Sequence, residues 1–307
     1  MTDGTAPEAR ISLSAGGQTA NCYVVGRAAQ EYALDATVAG NGVVTDGLRE
    51  AVQRFEGRSL GTSLAGSHAR LLWQSNPYLI EPGSIACEGG MIRFSTTARP
   101  VALGGNAVIG LFASDDPGAE ALWSWHIWIT DKTNEELQAL AETYVLYPAY
   151  EAAYGAGSTR MMDRNLGAID KNESDYARSF RAPLYQWGRK DPIPGSSKFY
   201  DMTEPTLYGS VTKVSVAASD ASTGTIANAI QNPVTFLKAA DWLFAGRNNY
   251  LWGNPQGEEE LTATHQKSIY DPCPPGYRIP GKDAFSIFTK TGENTTDPVQ
   301  HNVINTS

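Results

Sequence analysis

The chain is poor in charge, in cysteine and in long apolar runs, and each shortage excludes something. Charged residues make up 19% of the sequence, against ~25% in ordinary soluble domains. The charge present is acidic, with 24 Lys and Arg against 33 Asp and Glu and a net charge of −9. A surplus of carboxylates argues against nucleic acid as a partner, because phosphate neutralisation needs excess cations. It argues equally against an electrostatic grip on anionic lipid. The three cysteines, Cys22, Cys87 and Cys273, are too few for a disulfide scaffold and too widely spaced for a CxxC metal knuckle. Inert buried thiols, one disulfide and one catalytic thiol all stay open. No apolar run approaches the ~18 residues that span a bilayer. Met1–Glu8 has neither a basic stretch nor an apolar one, so no signal peptide is read there. A cytosolic chain and a chain whose leader has been removed both fit.

Catalytic signatures are scarce too. His68, His126, His265 and His301 show none of the HxH or HExxH spacings of metal sites. There is no GxSxG elbow and no SxxK. Gly89-Gly90 and Gly104-Gly105 lack the spacing of a dinucleotide loop. Glu258-Glu259-Glu260 reads as a solvated loop face, and the Asn-x-Ser/Thr triplets at Asn172, Asn294 and Asn305 are weak signals. No metal and no cofactor are expected.

Aromatic residues and turn formers are plentiful, and 307 residues leave room for two domains. Seven short runs in the first 132 residues are β-branched or aromatic and bounded by Gly, Pro, Asn or Asp. They are Ile11–Ser14, Ala20–Val25, Tyr32–Val38, Ala69–Trp73, Met91–Ser95, Ala107–Phe112 and Leu122–Thr130. That density predicts a β-sandwich or barrel. In the last run Trp123, Trp125, Ile127 and Ile129 share one face, and His126, Trp128 and Thr130 share the other. A strand apolar on both faces is central and buried, so His126 is read as a hydrogen-bonded interior residue. A sugar-stacking platform is the rival reading of the tryptophans.

Four helical features are expected. One follows Thr45 and carries Leu48, Ala51, Val52 and Phe55. Thr133-Asn134-Glu135-Glu136 is a capping box opening a linker helix over 133–146, with Leu137, Leu140 and Tyr144. After a long Ser/Thr/Ala-rich excursion over 193–230, Pro233 starts a helix bearing Phe236, Leu237, Ala240 and Leu243, closed by Gly246. Ala284, Phe285 and Phe288 follow the rigid turn cluster Asp271–Pro280 as a further short helix. Two mixed-charge segments, Asp163-Arg164-Asn165 and Gly188-Arg189-Lys190-Asp191, read as an internal network pairing Asp163, Arg164, Arg189 and Asp191.

Three segments carry a resemblance. Met162–Ala168 (MDRNLGA), Tyr185–Pro192 (YQWGRKDP) and Ser268–Pro280 (SIYDPCPPGYRIP) occur in that order and resemble the signatures of large Bacteroidales surface proteins carrying the Fibrobacter succinogenes major paralogous domain. Many of these are fimbrillin-family or pilus-tip-like. Ala20–Val24, Gly105–Ile109 and Leu122–Trp128 are similar to that family's N-terminal module. The resemblance implies an exported cell-surface or outer-membrane lipoprotein. It also implies a C-terminal module related to the C-type-lectin fold, with Arg278-Ile279-Pro280 as the turn before a helix. In the family the module runs further, to a late cysteine that pairs with the one matching Cys273, which implies that the module here is incomplete.

The resulting expectation is a mostly β chain with minor α. A β-sandwich-like domain (1–132) and a linker helix (133–146) precede an irregular α+β, C-type-lectin-like domain (147–307). The expected function is non-enzymatic, a fimbrial tip-like adhesin or cell-surface binding module whose partners are other pilus subunits or surface glycans or proteins. A glycan-binding lectin is the alternative, with Trp187, Trp242, Tyr250 and Trp252 as ligand-binding residues. Asp163, Arg164, Asn165, Arg189, Asp191, Cys273 and Arg278 are expected to be structural. A relative of formylglycine-generating oxidases is a third reading, but those need a late cysteine pair, and only Cys273 lies in this half.

Overall fold

The structure, a computed structural model, describes residues 10–26, 29–41, 63–97, 104–130, 132–145, 158–169, 182–194, 214–253, 267–281, 284–285, 288–292 and 296–300. Twelve strands lie among these residues. The first eight are β1 (Ile11–Leu13), β2 (Cys22–Val25), β3 (Glu31–Asp35), β4 (His68–Gln74), β5 (Ala86–Glu88), β6 (Met91–Ser95), β7 (Gly105–Phe112) and β8 (Trp123–Ile129). The seven expected runs are all strands, and β5 is an eighth. It pairs antiparallel with β6 across a turn in which Gly89 and Gly90 both take positive φ, so that glycine pair shapes a hairpin.

The strands form two four-stranded sheets, ordered β1-β3-β6-β5 and β2-β8-β7-β4. β1 runs parallel to β3 and β2 parallel to β8, while the other pairs are antiparallel. Alternation sends Tyr32, Leu34, Ile92 and Phe94 from the first sheet, and Tyr23, Val25, Ile109, Leu111, Trp123, Trp125 and Ile127 from the second, into one common core. This is a sandwich rather than a barrel. Each such side chain taken out of water contributes about 1.5–3 kcal/mol, which is why β7 and β8 are buried along their whole length.

Helix α1 (Asn134–Leu140) starts where the capping box predicts. Thr133 Oγ1 accepts from Glu136 N, and the Glu136 carboxylate accepts from Thr133 N. Its end differs from the expectation. Leu140 is 40% exposed, and Tyr144 belongs to β9 (Glu142–Val145), which pairs antiparallel with β10 (Ser158–Met161).

The expected helix from Pro233 to Gly246 is overturned. Helix α2 is earlier, Ile226–Gln231, inside the segment read as an excursion. Thr225 caps it by accepting from Asn228 N, and Asn232 ends it, so Pro233 follows the helix instead of opening it. The apolar residues beyond form β12 (Thr235–Lys238), parallel to β11 (Ser215–Ala218). Leu237 is buried and Lys238 exposed, a period of two that a four-residue apolar cluster did not reveal. The expected helix after Thr45 lies outside the described residues. Ala284 and Phe285 form a fragment of 3-10 turn, and Phe285 stacks on Phe288 with centroids 6.1 Å apart.

Candidate functional site

The outer face of the β2-β8-β7-β4 sheet carries residues that water would normally cover: Ser124, His126 and Trp128 on β8 and Thr130 just after it, with Cys22 on β2 and Asn106 on β7. All are buried. A buried polar group needs a partner, and the second half of the chain supplies one to Ser124, His126, Trp128 and Thr130 on this face. The motif segment 163–169 lies over one end. Trp128 Nε1 donates to Ala168 O (3.0 Å), Thr130 Oγ1 donates to Ile169 O (3.2 Å), and Asn106 Nδ2 donates to Gly167 O (2.9 Å). The segment 185–191 lies over the other end. Ser124 Oγ donates to Asp191 Oδ1 (2.5 Å), and the Tyr185 hydroxyl meets His126 Nδ1 (3.1 Å). The third segment reaches the start of β2. The Asn21 amide donates to Ile269 O (2.5 Å) and Asp271 O (3.1 Å), while its oxygen accepts from Trp123 Nε1 (3.0 Å). The three motifs therefore converge on one seam.

Charges within the seam are paired locally. Arg164 holds Asp163 through two contacts, 2.7 and 3.0 Å, with both side chains nearly inaccessible. Lys190 Nζ donates to Asp191 Oδ1 (2.7 Å), Ser124 O (3.0 Å) and Ser124 Oγ (2.6 Å), and stands 4.5 Å from the Trp123 ring centroid. Lys267 bridges Asp271 Oδ1 (3.0 Å) and Cys273 O (2.5 Å). Of the expected paired network, Asp163 and Arg164 form an ion pair, while the cation in contact with Asp191 is Lys190 and Arg189 feels Asp191 only at a distance. Arg189 instead gathers neutral acceptors: Gln186 Oε1 and Thr235 O through Nη1, and Ala229, Asn232 and Pro233 carbonyls through Nη2. Ala229 lies in the last turn of α2, where orphan carbonyls want a cation, and Asn232 and Pro233 follow at once.

The reactive groups of the seam are held in unreactive forms. Burial lowers the His126 pKa to about 3. Asn106 gives its amide protons to Gly167, so its oxygen accepts from His126 Nε2 (2.8 Å) and Nδ1 accepts from Tyr185. Both ring nitrogens are satisfied in the neutral state. Burial raises the thiols of Cys22 and Cys273 far above their ordinary range, and Asp271 adds to the effect at both. Tyr185 is raised by the same burial, with the neighbouring cysteines and aspartates reinforcing it. Cys22, Cys87 and Cys273 are free thiols. Among the described residues no group of three or more His, Cys, Asp or Glu side chains could hold a metal. No described helix is long and apolar enough to cross a membrane.

The four aromatic candidates for ligand binding occupy one region beside the seam but differ in access. Trp242 and Trp252 are buried, donating to Trp187 O (2.5 Å) and Arg189 O (3.2 Å) respectively. Trp187 and Tyr250 are half-buried. Trp187 packs on Trp252 with centroids 4.6 Å apart and donates to Asn249 Oδ1 (2.6 Å). Asn165 and Arg278 are exposed, and Cys273 is buried. Beside this group lies a narrow cleft with room for about one water, with Arg189, Lys190 and Asp191 as its polar lining and Ile226, Ile230, Leu251, Trp242 and Tyr270 among its apolar walls.

Ser124, Asn106, Asn21, Tyr185, Lys190, Lys267 and Asp271 were not singled out by sequence reading. The alternation of β8 held the signal for Ser124, since its small polar side chain shares a face with His126 and Thr130. No family model, no curated protein and no solved structure matches the chain.

Proposed function

We propose that the chain is a non-enzymatic binding module of an exported cell-surface protein, of the fimbrial tip-like kind that its motifs resemble. One observation carries the reading. The motif residues converge on the sandwich's outer face, and there the imidazole, the two thiols and the phenol are buried in their neutral forms. A nucleophile or general base needs the opposite, a pKa near working pH and access to substrate. The seam acts as a fastening that holds the second half rigidly against the sandwich, leaving loops as the surfaces that meet a partner.

The test is display on intact cells producing the native protein. A membrane-impermeant amine label is expected to mark the chain before lysis. Labelling only after lysis would refute the reading.

The glycan-binding alternative keeps one support, the partial exposure of Trp187 and Tyr250. Trp242 and Trp252 serve that reading only as backing. A glycan array with and without calcium tests it, and an array without hits removes it.

A further inference from the structure

Two thiols of the seam have no part in the fastening described so far. Cys22 is fully buried and Cys273 is 3% exposed. They come from opposite ends of the chain, yet the third motif is pinned on both sides of Cys273 to groups that flank Cys22. Upstream, Asp271 O accepts from the amide of Asn21, the residue before Cys22 (3.1 Å). Downstream, Pro275 O accepts from Asn134 Nδ2 on α1 (3.0 Å), and Leu137 of the same helix shares a buried cluster with Cys22. Between these anchors the Asp271 carboxylate accepts from Cys273 N (2.7 Å), and the Lys267 ammonium reaches both Asp271 Oδ1 and Cys273 O. The two thiols share their charged surroundings. Each is acted on by Lys267 and by Asp271, and Cys273 is acted on by Cys22 itself. The Tyr185 phenol, which meets His126 beside Cys22 in the sheet, is acted on by both thiols. Cys87 lies on β5, in the other sheet.

We propose that Cys22 and Cys273 are a redox pair, closed into a disulfide when the chain folds in an oxidising compartment. The oxidant is an external disulfide of the glutathione class. One cysteine thiolate attacks it and releases the first oxidant thiol, and the second thiolate attacks the mixed disulfide and releases the other. The two cysteines give up two protons and two electrons, the S–S bond between them forms, and the oxidant's disulfide becomes two thiols. Burial keeps both thiols protonated in the folded chain, so closure belongs to the stage before the seam has packed, when thiolates are still available. The closed bond ties β2 to the third motif across a ring of about 250 residues, and cross-linking so large a ring removes much disorder from the unfolded chain. Cys273 thus takes its partner within this chain, where the resemblance implies a later cysteine. The oxidant depends on the exported-protein reading, while the pairing rests on the seam alone.

The experiment unfolds the purified chain in urea and refolds it in parallel with dithiothreitol or with oxidised and reduced glutathione. Free thiols are then blocked, and a non-reducing digest is read by mass spectrometry. A peptide joining Cys22 to Cys273 is expected in the glutathione sample only. The oxidised chain is expected to melt at least about 5 °C above the reduced one, a difference that dithiothreitol in urea abolishes. Cys87→Ser is expected to keep both results and Cys22→Ser to lose both. Chain secreted into an oxidising bacterial periplasm supplies the same digest if refolding fails, and the wild-type digest decides alone if a variant does not fold. Cys22 and Cys273 recovered as blocked free thiols, a bond from either to Cys87 or to a second chain, or a bond that lowers the melting temperature as a strained pair does, would overturn the proposal. Free thiols in a chain displayed on cells leave the cell-surface reading standing, and a linked pair in a chain that is not displayed leaves the redox pair standing.

Discussion

Acid should unfasten the seam through His126. The imidazole is fully buried, with an ordinary pKa of 6.5 lowered to about 3 in the folded chain by burial. A base with a depressed folded pKa takes its proton more readily when unfolded, so stability rises with pH. The contribution is complete above about pH 6.5 and is lost as pH falls toward about 3. The slope is about 1.4 kcal/mol per pH unit, so the whole window is worth about 5 kcal/mol. Between pH 7 and 4.5 the expected loss from this residue is about 2.5 kcal/mol. Urea unfolding of the wild type and of His126→Gln across that range isolates the term, since Gln does not titrate and all other groups are shared. The wild type should lose about 2.5 kcal/mol more than the variant over the interval. Parallel pH profiles for the two chains would refute the reasoning, because the imidazole would then be free to take a proton in the folded state.

Three further outcomes follow from the packing. Lys190→Met strands Asp191 in the interior, and chemical denaturation should show a loss of about 3–5 kcal/mol; the double variant with Asp191→Leu should lose less, since no lone charge is left behind. Gly167→Ala should cost more than about 1 kcal/mol in the same assay, because Gly167 has φ +82° and a Cβ there would stand 2.8 Å from Asn106 Oδ1 and against the Pro183 ring. Thr133→Ala should cost about 1 kcal/mol and speed amide exchange at the start of α1, where Thr133 accepts from Glu136 N.

The sandwich was legible because its strands advertise themselves. Leu122–Thr130 and Met91–Ser95 alternate or run apolar between clear breakers, and a two-residue period leaves little choice of face. The α1 start was legible for a local reason, a capping box complete within four residues. The second half was harder to read because its elements are held by distant groups. Nothing within residues 225–238 says that Arg189 will cap the carbonyls of α2, and without that cation Pro233 looks like a helix start. The paired charges were misread for the same reason. Lys190 and Arg189 are neighbours in sequence, and only the position of Ser124 decides which of them faces Asp191. The neutral state of His126 was implicit in its apolar strand, but its two partners come from β7 and from a loop 59 residues away.

The Asn21 amide bridges to the carbonyls of Ile269 and Asp271, partners 248 and 250 positions further along the chain. The start of β2 is therefore completed by a turn from the second half of the chain. A nascent chain holds its β2 residues without these partners until residue 271 has been made, and closing so large a loop comes late and slowly. That part of the seam closes only when its far segment arrives.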